Sequence, residues 1–168
     1  MRFLKSFKYA FRGIIYCINN ERNMRIHAVA ALYVFVFSFF FGLSRTGYAV
    51  LFLTVALVWM AELFNTVAEE LSDLVAPSFS PVVRIVKDMA SGSVLVCAAF
   101  SVFVGVCLFW RPEIFVKIAA YFAASPVMLL LLAAVTAASV VFVVLGPLGI
   151  RDRIRFKKRA GKDGGSDE

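Results

Sequence analysis

Residues 48–73, YAVLFLTVALVWMAELFNTVAEELSD, combine an apolar run with a stripe of acidic side chains, and this combination decides the fold. The run from Tyr48 to Ala61 contains no charged residue, and helix-forming residues continue from it through Asp73. A long apolar segment that continues as a helix is typical of a membrane span whose end emerges from the bilayer. We therefore predict a transmembrane helix over about residues 48–73.

The polar side chains of this segment lie on one face of the predicted helix. At 100° per residue, the angles of Glu62, Asn65, Glu69 and Asp73 fall within about 80° of one another, with Thr66 beside them. Glu62 lies about 16 Å along the axis from Asp73, well inside the membrane if Asp73 is near the interface. Ionisable groups at that depth are costly and therefore indicate function. Several acids on one face also repel one another unless a cation or proton lies between them. A polar stripe that only joins helices needs no acids.

The composition of the whole chain supports a membrane protein. Of its 168 residues, 61% are hydrophobic and 17% are charged, and the mean hydropathy is +0.84. A chain this short cannot bury so much apolar surface in water, which excludes an ordinary soluble enzyme and a disordered protein. The net charge of +7 suits flanks that lie against anionic lipid headgroups, and the apolar composition argues against nucleic acid as a partner.

Further spans follow from the same apolar pattern. Transmembrane helices are predicted over about residues 27–43 and 83–110. Residues 111–150 predict one additional transmembrane helix, within which Pro126 marks a candidate start of the span. The charged, glycine-rich tail, residues 151–168, predicts disorder.

Residues 1–19 predict an amphipathic helix that lies on the membrane surface. One sector of about 120° holds its apolar residues, which are Phe3, Leu4, Phe7, Phe11, Ile14, Ile15 and Ile18. The opposite side holds its basic residues, which are Arg2, Lys5, Lys8 and Arg12. Helices with this division lie in the membrane interface. The predicted fold is therefore an all-α integral membrane helical bundle with an N-terminal surface helix.

The distribution of basic residues predicts the orientation. With the N-terminus in the cytoplasm, only Arg45, Arg111 and Lys117 of the 18 Lys and Arg residues fall in outside loops. This asymmetry follows the positive-inside rule. It predicts four spans with both the N-terminus and the C-terminus cytoplasmic.

Two further polar patches lie on the same side of the membrane. Glu21 precedes the first span, and Lys87-Asp88 opens the third, with Ser91 one turn above Lys87. Mg²⁺ typically takes one or two carboxylates plus phosphate oxygens, and lysine serves as a point charge for phosphate. These residues therefore suit a metal-bound phosphate, although membrane-boundary snorkelling is an alternative for Lys87. His27, which has no acidic neighbour in sequence, predicts a boundary residue rather than a ligand.

The segment Glu62-Leu-Phe-Asn65-Thr66-Val-Ala-Glu69-Glu-Leu-Ser-Asp73 resembles the E-x-x-N-[ST]-x-x-E-x-x-x-D motif of the small prokaryotic diacylglycerol kinase/undecaprenol kinase family. Further matches are Lys87-Asp88-Met89-Ala-Ser91, Asn20-Glu21 and Tyr9-Ala-Phe-Arg12-Gly13. The resemblance covers about residues 1–110. It implies a lipid kinase domain with three family-type transmembrane helices, to which this chain adds a fourth span and a tail.

The resemblance implies ATP-dependent phosphorylation of a membrane lipid alcohol by a homotrimer that shares its sites between subunits. Glu62 would be the catalytic base facing the lipid hydroxyl, with Ser91 at the lipid-substrate end. Mg²⁺, which bridges the ATP phosphates, would be held by Glu21 and Glu69. The implied ATP contacts are those of Arg2, Tyr9, Glu21, Glu69, Lys87 and Asp88, and Asn65 and Asp73 would support the site.

The substrate expected from the resemblance is undecaprenol, converted to undecaprenyl phosphate. The segment Arg22 to His27 is more similar to Gram-positive members, which tend to act on undecaprenol, than to enterobacterial diacylglycerol kinases. Diacylglycerol, converted to phosphatidic acid, is the alternative. A small proton-coupled transporter and a non-catalytic assembly subunit are alternatives from other classes, although neither needs the acidic stripe. The expected location is the bacterial plasma membrane.

Overall fold

Six helices account for almost all of the described chain. The computed structural model describes residues 2–76 and 80–163, with side chains described at 3–76 and 80–152. The helices are α1 (Arg2–Asn20), α2 (Arg22–Phe41), α3 (Arg45–Val75), α4 (Pro81–Phe109), α5 (Pro112–Ala124) and α6 (Pro126–Asp163). The described residues contain no strand, so the prediction of an all-α fold is confirmed.

Four of the described helices are long and apolar enough to cross a membrane, as predicted. They are α2, α3, α4 and the part of α6 from Pro126 to Asp152. At 1.5 Å per residue, the 31 residues of α3 extend for about 46 Å, which exceeds a hydrocarbon core of about 30 Å. An end of α3 therefore emerges from the bilayer, and its C-terminal turns carry the acidic residues.

A short connection with defined caps joins α2 to α3. Gly42 ends α2 with φ 54° and ψ 50°, a left-handed conformation that favours glycine. Ser44 starts α3, and its side chain accepts a hydrogen bond of 3.1 Å from the backbone N–H of Gly47. Arg111, which follows α4, donates from Nη1 to the carbonyl of Phe41 at 3.0 Å. The ends of α2 and α4 are thereby held together.

Most large apolar side chains of the helices point outward. In α1, Phe3, Leu4 and Phe11 are exposed, and the most apolar window of α6 has no buried residue. Lipid tails are as apolar as leucine, so outward apolar side chains in a bilayer lose nothing relative to burial in protein. The exposed apolar face of α1 is the arrangement expected of a helix that lies in the interface.

The structure divides the fourth apolar stretch into two helices. The sequence predicts one helix over residues 111–150, whereas α5 ends before Ser125, which is extended with φ −127° and ψ 101°. Pro126 causes the break, because proline lacks an N–H and disfavours a helical conformation of the preceding residue. The 13 residues of α5 extend for only about 20 Å, so α6 is the fourth span.

α6 also differs from the sequence prediction at its C-terminal end. It continues through Asp163, whereas the sequence predicts disorder from Arg151. Arg and Lys are strong helix formers, and they extend a helix that the apolar span has already nucleated. Inside α6, Gly146 has φ 66° and ψ 169° and is followed by Pro147, which places a kink there. Residues 164–168 of the predicted tail lie outside the described residues.

Candidate active site

A cavity of about 280 Å³ lies between the N-terminal part of α2, the C-terminal half of α3 and the N-terminal half of α4. Its polar lining consists of Glu21, Asn23, His27, Glu62, Asn65, Glu69 and Ser91. Val94, Leu95 and Ala98 of α4 form an apolar wall. The cavity therefore brings together five residues predicted for the site from the sequence, namely Glu21, Glu62, Asn65, Glu69 and Ser91.

The helical period of α3 explains why its acidic stripe enters the cavity. Glu62, Asn65 and Glu69 stand at positions i, i+3 and i+7, which share one face of a helix. Glu62 and Asn65 are buried, and Glu69 is half-buried. Asp73 continues the stripe, but its side chain is 71% exposed and lies beyond the cavity.

Glu62 is the most deeply buried of these carboxylates. It is 1% exposed, and its Oε1 atom is buried without a hydrogen-bond partner. His27 Nε2 lies 3.4 Å from this oxygen, close enough for an electrostatic contact but without the geometry of a hydrogen bond. A buried acceptor left unpaired is costly, so this oxygen has unused capacity for a hydroxyl or water donor.

Asn65 links the two sides of the cavity through both ends of its amide. Its Nδ2 donates to Glu69 Oε1 at 2.9 Å, and its Oδ1 accepts from Ser91 Oγ at 3.2 Å. The first bond orients the Glu69 carboxylate, and the second ties α3 to α4. Asn65 thus holds one carboxylate of α3 and joins α3 to α4.

Glu21 brings a second carboxylate to the cavity from a different helix. It occupies the N-cap position of α2, yet its side chain makes no capping hydrogen bond and lines the cavity instead. Burial raises the pKa of Glu21, and the negative charge of Glu69 raises it further, while Arg25 opposes both effects. Glu21 and Glu69 therefore repel each other, and a cation between them relieves that repulsion.

These two carboxylates fit Mg²⁺ bound together with a phosphate. Mg²⁺ usually takes one or two carboxylates and completes its shell with water and phosphate oxygens. Among the described residues, no group of three or more His, Cys, Asp or Glu side chains forms a closed metal site.

The C-terminal part of α1 docks against α3 beside the cavity. Cys17 Sγ lies 3.1 Å from Thr66 Oγ1, which in turn donates to the carbonyl of Glu62 at 3.0 Å. Tyr16 donates from its hydroxyl to Glu70 Oε1 at 2.6 Å, and this bond raises the pKa of Tyr16. Burial raises the pKa of the Cys17 thiol. These contacts fix the surface helix next to the backbone that carries Glu62.

Of the predicted nucleotide contacts, Glu21 and Glu69 line the cavity, whereas Lys87, Asp88 and Tyr9 do not. Lys87 is paired with Asp73, and Asp88 lies 3.9 Å from Arg84 Nε. Because Lys87 precedes Ser91 by one turn, it lies about 6 Å along α4 from a cavity residue, at the rim. Tyr9 is 62% exposed on α1. The side chain of Arg2 lies outside the described residues.

Two polar cavity residues were missed from the sequence. The interpretation of His27 as a boundary residue is corrected, because the structure places it against Glu62. Asn23 also lines the cavity. These two polar residues stand four apart on α2 and therefore share a face, which is the signal that the sequence offers.

Comparisons with known proteins place this arrangement in a family. A family model described as prokaryotic diacylglycerol kinase matches residues 8–109. A diacylglycerol kinase of Synechocystis sp. is 40% identical over 110 residues, which cover 65% of this chain and 63% of that relative. An undecaprenol kinase of Bacillus subtilis is 37% identical over 108 residues, which cover 64% of this chain and 88% of that relative. The chain thus matches less than two thirds of the Synechocystis protein, and α5 and α6 lie outside the residues that the family model matches.

Proposed function

This chain belongs to the prokaryotic diacylglycerol kinase family, and we propose that it is a lipid kinase that transfers a phosphoryl group from ATP to the hydroxyl of a membrane lipid alcohol. One observation carries the proposal. Glu62 is buried with its Oε1 atom unpaired, in a cavity that it shares with the carboxylates of Glu21 and Glu69. An unpaired carboxylate oxygen suits a hydroxyl donor, and the other two carboxylates suit the metal of a metal-nucleotide.

The chemistry requires a base for the hydroxyl proton. The bond between the γ-phosphorus and the oxygen that bridges it to the β-phosphate breaks and leaves ADP. A new bond joins that phosphorus to the lipid oxygen, whose proton passes to the Glu62 carboxylate. Positioning supplies most of the rate in phosphoryl transfer, and a base within reach of the hydroxyl adds to it.

We assign the divalent metal, Mg²⁺, to Glu21 and Glu69. Bound there with ATP, Mg²⁺ would neutralise charge on the phosphate oxygens. Asn65 holds Glu69 in place through its 2.9 Å hydrogen bond, and Glu21 stands at the N-cap position of α2. The chain thereby keeps two carboxylates oriented toward one cavity from separate helices.

The metal assignment is tested by the Mg²⁺ concentration that gives half-maximal activity. Glu21→Gln and Glu69→Gln should each raise it by about tenfold, the effect of roughly 1.4 kcal/mol of lost ligand energy. Glu70→Gln is the matched control, because Glu70 is the neighbour of Glu69 and bonds to Tyr16 outside the cavity. An unchanged Mg²⁺ requirement in the Glu21 and Glu69 variants would refute the assignment.

The remaining nucleotide contacts are proposed at the rim of the cavity. Lys87 is paired with exposed Asp73, and a phosphate can replace that carboxylate as its partner. Asp88 is highly exposed beside it, and Tyr9 and Arg2 belong to the surface helix that docks next to the site. Ser91 bonds to Asn65 on the α4 side, where we place the lipid-substrate end.

Undecaprenol is the proposed lipid alcohol. The relative matched over 88% of its own length is named undecaprenol kinase, and His27, from the segment that resembles Gram-positive members, lies against Glu62. Diacylglycerol is the second candidate, because the Synechocystis relative, at 40% identity, is named diacylglycerol kinase. Family membership disfavours the transporter and the non-catalytic subunit considered from the sequence.

A competition assay tests the activity and the substrate together. The full-length protein in detergent micelles receives γ-labelled ATP, Mg²⁺ and equal amounts of undecaprenol and diacylglycerol. We expect the label mainly in undecaprenyl phosphate. Label mainly in phosphatidic acid would refute the substrate choice, and no ATP-dependent label in either lipid would refute the kinase proposal.

The assembly and orientation are proposed from the resemblance and from the Lys and Arg distribution. We infer a homotrimer in the bacterial plasma membrane, with both termini cytoplasmic. The even number of spans supports termini on one side. Light scattering of the protein in detergent and reporter fusions at each terminus test these statements, and a monomer or a reporter active on the outside would contradict them.

A further inference from the structure

Arg25 is a buried cation whose hydrogen bonds join three helices. It is 7% exposed. Its Nε donates to the carbonyl of Val143 in α6 at 3.1 Å, and its Nη1 donates to the carbonyls of Ile18 and Asn19 in α1 at 3.1 and 3.0 Å. A buried charge requires such partners, because it loses its hydration. Arg25 itself belongs to the first turns of α2, so one side chain fixes α1, α2 and α6 relative to one another.

The kink of α6 creates the acceptor for this side chain. In a regular helix the carbonyl of Val143 accepts from the N–H of residue 147, but Pro147 has no N–H. The Arg25 Nε group occupies this unused acceptor. Gly146, just before the proline, is buried and has φ 66°. A Cβ atom there would lie only 3.0 Å from Arg25 Nη1, so Val143, Gly146 and Pro147 form a socket for the guanidinium group.

The other end of the same side chain caps α1 immediately before Glu21. The carbonyls of Ile18 and Asn19 belong to the last turn of α1, where a helix leaves carbonyls without internal partners. Asn20 ends α1, and Glu21 follows as the N-cap of α2. The position of the Glu21 side chain therefore depends on a junction that is held from one side by α6.

We propose that α6, through the Arg25 socket, positions Glu21 for the metal-nucleotide, and that Arg25 is a positioning residue of the site. This inference rests on the proposed role of Glu21 as a metal ligand. It gives a function to the C-terminal part of the chain, since α6 lies outside the residues that the family model matches. The extra span is thus a component of the kinase site and not only a membrane anchor.

Two substitutions in full-length protein open the socket by different physical routes. Gly146→Ala introduces a Cβ atom at a left-handed φ and against Arg25. Pro147→Ala restores an N–H that competes with Arg25 for the carbonyl of Val143. Gly149→Ala is the matched control, because a Cβ atom there meets only Leu145 Cβ, at an ordinary distance of 3.5 Å.

Two readouts separate positioning from general stability. Hydrogen exchange of the amides at residues 19–25 reports the junction directly and needs no catalytic activity. The Mg²⁺ concentration for half-maximal activity reports Glu21, and the KM for the lipid alcohol serves as an internal reference. Both socket variants should speed exchange at the junction and raise the Mg²⁺ requirement by about threefold or more, with the lipid KM unchanged. Gly149→Ala should change neither.

Each result bears on a different part of the inference. Unchanged exchange in both socket variants would refute the tie between α6 and the junction. Faster exchange with an unchanged Mg²⁺ requirement would refute the positioning of Glu21. If the wild-type protein phosphorylates no lipid alcohol, the proposed function fails, and the exchange result still decides whether α6 holds the junction.

Discussion

Replacement of His27 with alanine should slow phosphoryl transfer without weakening nucleotide binding. His27 Nε2 lies 3.4 Å from Glu62 Oε1, the buried oxygen that has no hydrogen-bond partner. A well-formed hydrogen bond to a charged group contributes about 1.5–3 kcal/mol. The His27 contact is longer and lacks the geometry of a hydrogen bond, so it is assigned less than this, about 1 kcal/mol. If His27 orients the Glu62 carboxylate in the transition state, the loss of about 1 kcal/mol there predicts a roughly fivefold lower kcat.

Steady-state phosphorylation of the lipid alcohol at varied MgATP measures this effect. The KM for MgATP should stay at the wild-type value, because His27→Ala leaves Glu21 and Glu69 in place. Ile26→Ala is the matched control, since Ile26 is the exposed neighbour of His27 on α2 and does not line the cavity. A kcat within twofold of the wild-type value would refute the proposal that His27 orients Glu62. An effect on the KM for MgATP instead of on kcat would also refute it.

Three further predictions concern the surroundings of the cavity. In the absence of Mg²⁺ and ATP, Glu21→Gln should raise the thermal unfolding temperature at a pH above the raised pKa of Glu21 and change it little at a pH below the ordinary pKa, because a carboxyl group with a raised pKa makes stability fall as pH rises. Equal shifts of the unfolding temperature at the two pH values would contradict this prediction. Lys87→Ala should raise the KM for MgATP by about tenfold. It should lower the free energy of unfolding by less than about 1 kcal/mol, because its partner Asp73 is exposed, and an unchanged KM would exclude Lys87 from the nucleotide site. Thr66→Val should speed maleimide labelling of buried Cys17, as measured by mass spectrometry, because α1 loses a contact to α3; an unchanged rate would show that α1 is docked by other contacts.

The fold and the acidic face of α3 are predictable because both depend on local periodicity. A run of apolar residues of sufficient length indicates a span, and the spacing of Glu62, Asn65 and Glu69 places them on one face whatever packs against it. The break at Pro126 is also local, since proline acts on its own helix. For these features, the neighbours of a residue in sequence are sufficient.

Contacts between helices depend on long-range packing and cannot be predicted from local periodicity. The contact of His27 with Glu62 requires the relative rotation of α2 and α3, which no single segment encodes. The bond from Arg25 to Val143 joins residues 118 positions apart. Pro147 does reveal an unused carbonyl four residues earlier, but the sequence does not indicate which donor reaches it.

The turnover of Glu62→Gln, compared with that of the Glu70→Gln control, decides whether Glu62 accepts the hydroxyl proton. The amide has the shape of the carboxylate but cannot take the proton, so turnover with lipid alcohol at saturating MgATP should fall by about 10²–10⁴-fold. The dissociation constant for MgATP, measured on the same sample, should stay at the wild-type value. Turnover within tenfold of wild type, or MgATP binding lost in parallel with turnover, would contradict the role of Glu62 as the base.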